Sequence, residues 1–258
     1  IVYNIAHIAH NKNLKLNINM KNNNFIIIGS SGGIGSQLVA DLAVNNNLLL
    51  GYHSEKPHNH LPNTISAPVD ASSFESVISF LEFGKTEFKK IDGIVNLPGS
   101  VILKPAHLVT EDEFNMSINI NLKSAFAVVR ASGKLLSESS VVLMSTAVTS
   151  LGLANHELIV SAKAGIEAMV RSASVSYSRK SLRFNAIAPG LIDTPLTKKI
   201  TGNPVALEIS KNMHILKRIG KPSDISNIIQ FLINPDNNWI TGQTFTVDGG
   251  LSSTKETS

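Results

Sequence analysis

The sequence contains no cysteine, and this absence excludes several kinds of site. A disulfide scaffold, a thiolate zinc or iron–sulfur centre and a cysteine nucleophile all require that residue. Tyrosine is also scarce, with three residues at Tyr3, Tyr52 and Tyr177. Any chemistry must therefore come from oxygen and nitrogen groups or from a bound cofactor.

Long apolar runs and a strong charge of either sign are missing as well. The longest apolar stretches, such as residues 25–28 and 48–50, fall far short of the roughly 18 residues that would suggest a membrane span. The formal net charge is +4, and Lys12 and Lys15 near the start supply two of these charges. Such a mild charge does not argue for nucleic acid. The sequence therefore predicts a cytoplasmic protein whose partners include neither a membrane nor a nucleic acid.

The length of 258 residues suits one α/β domain and is short for two complete ones. Residues 1–19 are rich in Asn and follow no periodic pattern, whereas the sequence from Met20 onward has the patterns of a folded domain. We expect residues 1–19 to be a tail, disordered or not native, and residues 20–258 to form the domain. A targeting peptide is the alternative for the tail, but the segment has no Arg, no Ser and no clean apolar core.

Seven short apolar runs alternate with segments of helical spacing after Met20. They are residues 25–28, 48–50, 65–69, 91–96, 141–144, 184–187 and 245–247. Near-continuous apolar strands separated by helices are typical of a parallel sheet that is covered on both faces. The sequence therefore predicts an α/β fold with a doubly wound parallel sheet.

A glycine-rich turn follows the first apolar run, in the sequence Ile28-Gly29-Ser30-Ser31-Gly32-Gly33-Ile34-Gly35. Its glycines let the backbone turn tightly and approach a pyrophosphate, and the helix that follows presents N–H groups to the same charge. Ser36 stands where a Walker loop would need lysine. The turn predicts a dinucleotide cradle, and the alternative is a tight turn without a ligand. The residues expected to contact the dinucleotide are Gly29, Ser31, Gly33, Ile34 and Gly35.

Six further segments follow this loop in order along the chain. They are Val69-Asp70, Asn96-Leu97-Pro98-Gly99, Asn121-Leu122-Lys123-Ser124-Ala125-Phe126, Asn185-Ala186-Ile187-Ala188-Pro189-Gly190 with Thr194, Arg218-Ile219-Gly220-Lys221-Pro222 with Asp224, and Ile240-Thr241-Gly242-Gln243 followed by Asp248-Gly249-Gly250. With the loop, they make the sequence from Met20 to Gly250 resemble the short-chain dehydrogenase/reductase family, and in particular its ketoacyl-carrier-protein reductases. The resemblance implies a single Rossmann-type domain, a nicotinamide cofactor, a small carbonyl or alcohol substrate and a homotetramer.

The family's reaction uses four side chains. In the family a tyrosine exchanges a proton with the substrate oxygen, a lysine four residues later holds the ribose, a serine orients the substrate oxygen, and an asparagine supports a water. The resemblance assigns the lysine to Lys163, the serine position to Thr146 and the asparagine to Asn121. The tyrosine position falls on Ile159, so the phenol is missing. Each retained residue also has a purely structural alternative: a solvated lysine, a strand-end threonine and an asparagine that bonds within a helical kink.

His156 is the candidate replacement for the missing proton donor. At about 100° per residue, a helix that begins this early would place His156, Ile159 and Lys163 on one face. Histidine is the side chain most often used to donate or accept a proton. The alternative is a histidine at the helix start without a role. Ser145, beside Thr146, should face the other way in a strand.

The choice between NAD and NADP is expected to depend on the residues after the second strand. Tyr52 occupies the position where an acidic residue would favour NAD, and His53 and Lys56 can meet the 2′-phosphate of NADP. The sequence therefore leans toward NADP. The resemblance also places Asp70 near the adenine. The further contacts that it implies are Asn96, Gly99, Pro189, Gly190 and Thr194.

Residues 191–216 are expected to determine the substrate. They combine apolar residues with Lys198, Lys199 and Lys211, which would suit an acyl thioester on an acidic carrier. An amphipathic helix packed on its own domain is the alternative. His58 and His60 have a spacing that can bind a metal, but they lie in a loop with Pro and Asn, and no metal site is predicted.

Two function classes remain open. The first is an NAD(P)-dependent oxidoreductase with an atypical proton donor, which the retention of Asn121, Lys163 and a hydroxyl at Thr146 favours. The second is a catalytically weak or inactive protein that keeps the cofactor site and acts as a binding or regulatory partner. Isoleucine at position 159 favours this second class, because a positioned proton donor contributes about 10²- to 10⁴-fold in rate.

Overall fold

The computed structural model describes residues 20–57 and 61–254. These residues form a seven-stranded parallel sheet with the strand order β3-β2-β1-β4-β5-β6-β7. The strands are β1 (Asn24–Ile28), β2 (Asn47–Tyr52), β3 (Thr64–Pro68), β4 (Gly93–Asn96), β5 (Ser140–Met144), β6 (Arg183–Pro189) and β7 (Thr244–Val247). The predicted doubly wound, Rossmann-type sheet is confirmed. The predicted tail of residues 1–19 lies outside the described residues, as do His58 and His60.

Eight α-helices connect the strands or cap the sheet within the described residues. They are α1 (Gly33–Leu42), α2 (Phe74–Phe88), α3 (Glu111–Ile118), α4 (Ser124–Leu135), α5 (Glu157–Ser176), α6 (Lys198–Thr201), α7 (Pro204–Met213) and α8 (Pro222–Ile233). A π-helical turn, Asn119–Lys123, joins α3 to α4. None of these helices is both long and apolar enough to cross a membrane.

Both faces of the sheet are buried, because each strand supplies apolar side chains to the two sides in turn. Ile26 and Ile28 of β1 pack in one cluster with residues of α2, α4 and α5. Phe25 and Ile27 pack in a second cluster with residues of α1 and α8. The near-continuous apolar runs of the sequence follow from this burial.

The strand order reverses at β1, which pairs with β2 on one side and with β4 on the other. The loops that follow β1 and β4 therefore diverge to opposite faces of the sheet and leave a crevice at its carboxyl edge. Ligands of open α/β sheets bind at this kind of switch point. The fold thus brings the glycine-rich turn after β1 and the segment after β4 to one edge.

Candidate functional site

A cavity of about 880 Å³ runs along the carboxyl edge of the sheet. Loops after β1, β2, β3, β4, β5 and β6 line it, together with α6, α7 and the start of α5. All but one of the residues that the sequence predicts for the site lie on its wall. Those on the wall are Gly29, Ser31, Gly33, Ile34, Gly35, Tyr52, His53, Asp70, Gly99, Asn121, Thr146, His156, Lys163, Pro189, Gly190 and Thr194.

Asn96 is the exception, because it does not lie on the cavity wall. Its side chain is buried and its Nδ2 donates to Ser124 Oγ at 3.3 Å. Its Oδ1 has no hydrogen-bond partner within the described residues. β4 is buried on both faces, and the Asn96 side chain is directed to α4, so its contact with the cofactor stays a prediction that the cavity wall does not support.

The glycine-rich turn has the backbone that a pyrophosphate cradle requires. Gly29 has a φ of +82°, which glycine adopts readily. A Cβ at Gly35 would overlap the carbonyl oxygen of Gly29, and one at Gly33 would lie 2.9 Å from the Thr194 side chain. Side chains at these positions would fill the space between the turn and its neighbours.

The N-terminus of α1 opens into the same cavity. Gly32 caps the helix without a side-chain hydrogen bond, and the first turn carries no acidic residue. Its first N–H groups are therefore available to an anion, which the helix dipole also favours. The turn and helix together fit the diphosphate of a dinucleotide.

The polar residues at the far end of the cavity come from the loops after β2 and β3. Tyr52, His53 and Asp70 lie on this wall. Asp70 accepts hydrogen bonds from the Ser72 hydroxyl at 2.7 Å and the Ser72 N–H at 2.9 Å, and these bonds hold the pKa of the carboxyl below its ordinary value. Asp70 is therefore an ionised acceptor at neutral pH.

Asn121 lies in the π-helical turn and ties it to the loop after β4. Its Oδ1 accepts from the Ser100 N–H at 3.2 Å, and its Nδ2 donates to the Ser117 carbonyl at 3.0 Å. π-helical turns inside α-helices occur often at functional sites. The expected bonding within a helical kink is confirmed, and it engages both ends of the amide.

Lys163 projects from α5 to the carboxyl end of β5. It is 7% exposed, and its Nζ donates to the Met144 carbonyl oxygen at 2.8 Å. Burial lowers the pKa of Lys163 to about 8, since removing the ammonium from water disfavours the charged form. Ile159, one turn earlier on α5, also lies on the cavity wall and is 5% exposed.

Burial of Lys163 is expected to destabilise the fold below about pH 8. Its pKa is about 8 in the folded chain against an ordinary 10.5, so the unfolded chain binds the extra proton between these values and stability rises with pH there. We expect Lys163→Met to raise the free energy of unfolding by about 3 kcal/mol at pH 7. Urea unfolding of both chains at pH 7 and at pH 10 measures this. A gain that does not shrink at pH 10 would contradict the explanation.

Thr146 and Ser145 face different surroundings at the end of β5. Ser145 Oγ donates to Glu167 Oε1 at 2.6 Å, and Thr149 Oγ1 donates to the same oxygen at 2.7 Å. These bonds direct the Ser145 hydroxyl to α5, and both Ser145 and Thr146 line the cavity. That the two side chains point in opposite directions stays a prediction.

His156 immediately precedes α5 and lies on the cavity wall with Ile159 and Lys163. Its Nδ1 lies 2.8 Å from the Ala154 carbonyl oxygen. A carbonyl only accepts, so Nδ1 carries the proton in this arrangement. In the neutral ring Nε2 is then an acceptor, and His156 can donate from Nε2 only when the ring is doubly protonated.

His214 is a cavity residue that the sequence analysis missed. It is 3% exposed, its Nδ1 lies 2.6 Å from the Ser210 carbonyl, and its Nε2 accepts from the Leu191 N–H at 3.3 Å. With both ring nitrogens engaged, it holds the segment after β6 to the end of α7. No periodic pattern in the sequence marks this contact.

Helix α7 lies over the cavity but buries none of its residues. Ala206, Ser210 and Met213 line the cavity, whereas Val205 and Ile209 are 70% and 57% exposed. The inward side of α7 faces the cavity of its own domain, so a role in substrate selection and an amphipathic helix packed on its own domain both stay open. Lys198 and Lys199 are exposed beside it, and Lys211 lies 3.7 Å from Glu208.

No group of three or more ligating side chains that could hold a metal ion occurs in the described ranges 20–57 and 61–254. The polar groups that line the cavity are hydroxyls, the Asn121 amide, the Asp70 carboxylate, the Lys163 amine and the imidazoles of three histidines, His53, His156 and His214. Around them the wall is largely apolar. Its apolar members include Val101, Leu103, Val148, Leu153, Leu191, Leu196 and Ile200.

Comparison with known proteins gives relatives over most of the chain. A hydroxynaphthalene reductase-like protein from Metarhizium anisopliae is 28% identical over 249 residues, which cover 87% of this chain and 93% of that protein. A tropinone reductase homologue from Arabidopsis thaliana is 29% identical over 243 residues, covering 88% of this chain and 74% of that protein.

Solved structures share the fold. A short-chain dehydrogenase/reductase of the glucose/ribitol dehydrogenase type from Brucella melitensis has a TM-score of 0.79 at 27% identity, covering 90% of this chain and 97% of that chain. A putative gluconate dehydrogenase from Agrobacterium tumefaciens has a TM-score of 0.84 at 24% identity, covering 91% and 98%. At this identity the second likeness concerns the fold alone.

The family model described as enoyl-(acyl carrier protein) reductase matches residues 32–252. This match spans the glycine-rich turn from Gly32, the π-helical turn, Lys163 and the helices α6 and α7. Together with the relatives and the sheet topology, it establishes that the chain belongs to the short-chain dehydrogenase/reductase family of oxidoreductases.

Proposed function

We propose that the chain is an NAD(P)-dependent oxidoreductase that transfers a hydride between a nicotinamide cofactor and a carbonyl or secondary alcohol. The observation that carries this proposal is a single cavity that holds a diphosphate cradle at one end and Thr146, Lys163 and Asn121 toward the other. The names of the relatives, which include reductases and a short-chain dehydrogenase/reductase, support the same reaction class.

The cofactor, when bound, would supply or accept the hydride at its nicotinamide ring. The glycine-rich turn and the first turn of α1 bind its diphosphate, while Tyr52, His53 and Asp70 lie at the adenine end. Pro189, Gly190 and Thr194 form the wall on the nicotinamide side. Tyr52 and His53 present no carboxylate to the ribose, which favours NADP over NAD.

At the reacting end, each retained side chain has a distinct part. Lys163 Nζ holds the ribose hydroxyls, and the Thr146 hydroxyl donates a hydrogen bond to the substrate oxygen. Asn121 has a positioning role. Its amide is bonded to Ser100 and Ser117, and these bonds keep the loop after β4 against the π-helical turn. The apolar wall around them excludes water from the substrate carbon and suits an uncharged small molecule.

His156 is proposed as the proton donor in place of the phenol. Because its Nδ1 is bonded to the Ala154 carbonyl, donation from Nε2 requires the doubly protonated ring. The same cavity position makes the ring an acceptor for the reverse reaction.

His156→Ala should lower kcat for carbonyl reduction by about 10²-fold, the smaller end of what a positioned donor contributes. The measurement is NADPH oxidation over a panel of ketones, aldehydes and β-keto thioesters. His107→Ala is the matched control, since His107 is exposed and is not among the residues that line the cavity. Equal rates for the two variants would exclude His156 as the donor.

A second function is supported by Ile159. With an apolar side chain where the family has its phenol, the chain could retain the cofactor site and serve as a weak or inactive binding or regulatory partner. The two functions differ in one result, because both bind NADPH and only the first consumes it. For either function we propose a cytoplasmic homotetramer, as the family resemblance implies.

A further inference from the structure

Lys163 has a chemical property beyond the ribose contact proposed above. Its amine is buried and has no acidic partner among the described residues. Its Nζ makes one hydrogen bond within the described residues, to the Met144 carbonyl. None of the ion pairs among residues 20–57 and 61–254 involves it. A neutral amine in this position keeps its lone pair and a second hydrogen uncommitted.

The amine is also open to the cavity. Lys163 belongs to the wall, although only 7% of its surface is exposed. Gly99 faces it, and a Cβ at position 99 would lie 3.8 Å from Nζ and 3.3 Å from Asn121 Oδ1. Glycine therefore leaves that side of the amine uncovered. The side chain one turn earlier, Ile159, offers neither a charge nor a hydrogen bond.

We propose that Lys163 is a nucleophile that forms an imine with an apolar aldehyde bound in the cavity. Desolvated lysines in apolar pockets are the residues that form Schiff bases in other proteins. This covalent reaction goes beyond the oxidoreductase function and requires no cofactor.

The amine, the aldehyde and solvent account for every atom and proton in the formation of the imine. The Nζ lone pair attacks the aldehyde carbon, the C–N bond forms, and the carbonyl electron pair moves to oxygen, which takes up a proton. The resulting carbinolamine loses its hydroxyl as water and its nitrogen proton to solvent, which leaves the C=N bond. Thr146 lies on the cavity wall two residues beyond Met144, whose carbonyl binds Nζ, and its hydroxyl is the group that we assign to the departing oxygen.

The apolar wall defines the class of aldehyde. Val148, Leu153, Ile159 and Leu191 are among the apolar residues that line the cavity, and no carboxylate is among the lining residues except Asp70 at the far end. Such a wall stabilises an aromatic or alkyl body. Benzaldehyde is accordingly a suitable probe, and glyoxylate is its charged counterpart.

The test is trapping with borohydride. The native chain is incubated with benzaldehyde at pH 7, reduced with borohydride, digested, and the benzylated lysine peptides are quantified by mass spectrometry. A pKa of about 8 leaves about a tenth of Lys163 neutral at pH 7, whereas an ordinary lysine, with a pKa of about 10.4, is neutral less than once in a thousand. We expect benzylation of Lys163 to exceed that of the exposed Lys134 at least ~10-fold, and to exceed the yield with glyoxylate.

Two outcomes decide whether Lys163 forms the imine, and a third experiment tests its contact with the nucleotide. Benzylation concentrated at Lys163, and absent at that site in Lys163→Arg, supports the imine. Benzylation of Lys163 no faster than of Lys134 in the native chain overturns it, whatever the variant does. In a parallel sample, saturating NADPH or NADH should suppress the labelling, because the ribose would cover Nζ. If the nucleotide leaves the labelling of Lys163 unchanged, the assignment of Lys163 as a cofactor contact is contradicted. The imine proposal is not affected by that result.

Discussion

Ile159→Tyr is expected to reduce carbonyl substrates about 10²- to 10⁴-fold faster than the native chain, the range that a positioned general acid contributes. The site already holds the other parts: Thr146 on the wall, Lys163 one turn along α5, and the π-helical turn fixed by Asn121. Residue 159 lines a cavity of about 880 Å³, so the larger ring can extend into open space instead of the packed core. The phenol would then lie beside Lys163, whose charge lowers the phenol's pKa.

Steady-state NADPH oxidation with the ketone, aldehyde and β-keto thioester panel measures the gain. Ile159→Phe is the matched control, because it adds the same ring without the hydroxyl. We expect its rate to stay near the native one. If the phenylalanine and tyrosine variants are equally fast, shape and not proton donation limits the native chain, and the interpretation of position 159 is wrong.

Gly35→Ala is expected to abolish nucleotide binding. A Cβ at position 35 would overlap the Gly29 carbonyl oxygen and lie 2.9 Å from Ser30 backbone atoms, so the turn itself must move. Overpacking of this kind costs about 1 to 3 kcal/mol of stability. Because the same turn cradles the diphosphate, we expect the affinity for NADPH to fall by at least ~10²-fold.

Thermal unfolding with and without NADPH measures both effects of Gly35→Ala. The variant should unfold at a lower temperature than the native chain and gain little from the nucleotide. Gly152→Ala is the control, since a Cβ there meets no atom within 4 Å and Gly152 does not line the cavity. Stabilisation of Gly35→Ala by NADPH equal to that of the native chain would contradict the cradle.

The sheet and the position of the cavity could be predicted because they follow from local patterns. Strands buried on both faces need continuous apolar runs, and the predicted runs agree with the observed strands within two residues at either end. A parallel sheet places every strand's carboxyl end at one edge. Residues that end a strand or follow it within three positions, such as Gly29, Tyr52, Gly99, Thr146 and Gly190, therefore meet there.

Side-chain direction and long-range contacts could not be predicted in the same way. Asn96 ends β4, yet its side chain bonds to Ser124 of α4, which is distant in sequence. His214 is held by the Ser210 carbonyl of α7 and by the Leu191 N–H. The second contact depends on how the end of α7 packs against the segment after β6. The exposed Val205 and Ile209 give α7 an amphipathic pattern that says nothing about which side faces the cavity.

Burial of Lys163 connects stability with function. A lysine that is 7% exposed and lacks a carboxylate partner among the described residues lowers the stability of the fold at neutral pH. We propose that the same amine meets a ribose hydroxyl when nucleotide is bound and acts as a nucleophile when it is not. Features that reduce stability in this way are concentrated at functional sites.

Titration of the native chain with NADPH and with NADH by isothermal calorimetry tests the central claim most directly. The cavity, its cradle and Lys163 lead us to expect saturable binding of one nucleotide per chain, with NADPH bound more tightly than NADH. Absence of binding heat for both nucleotides at several temperatures, with no protection of Lys163 from benzaldehyde, would contradict the account.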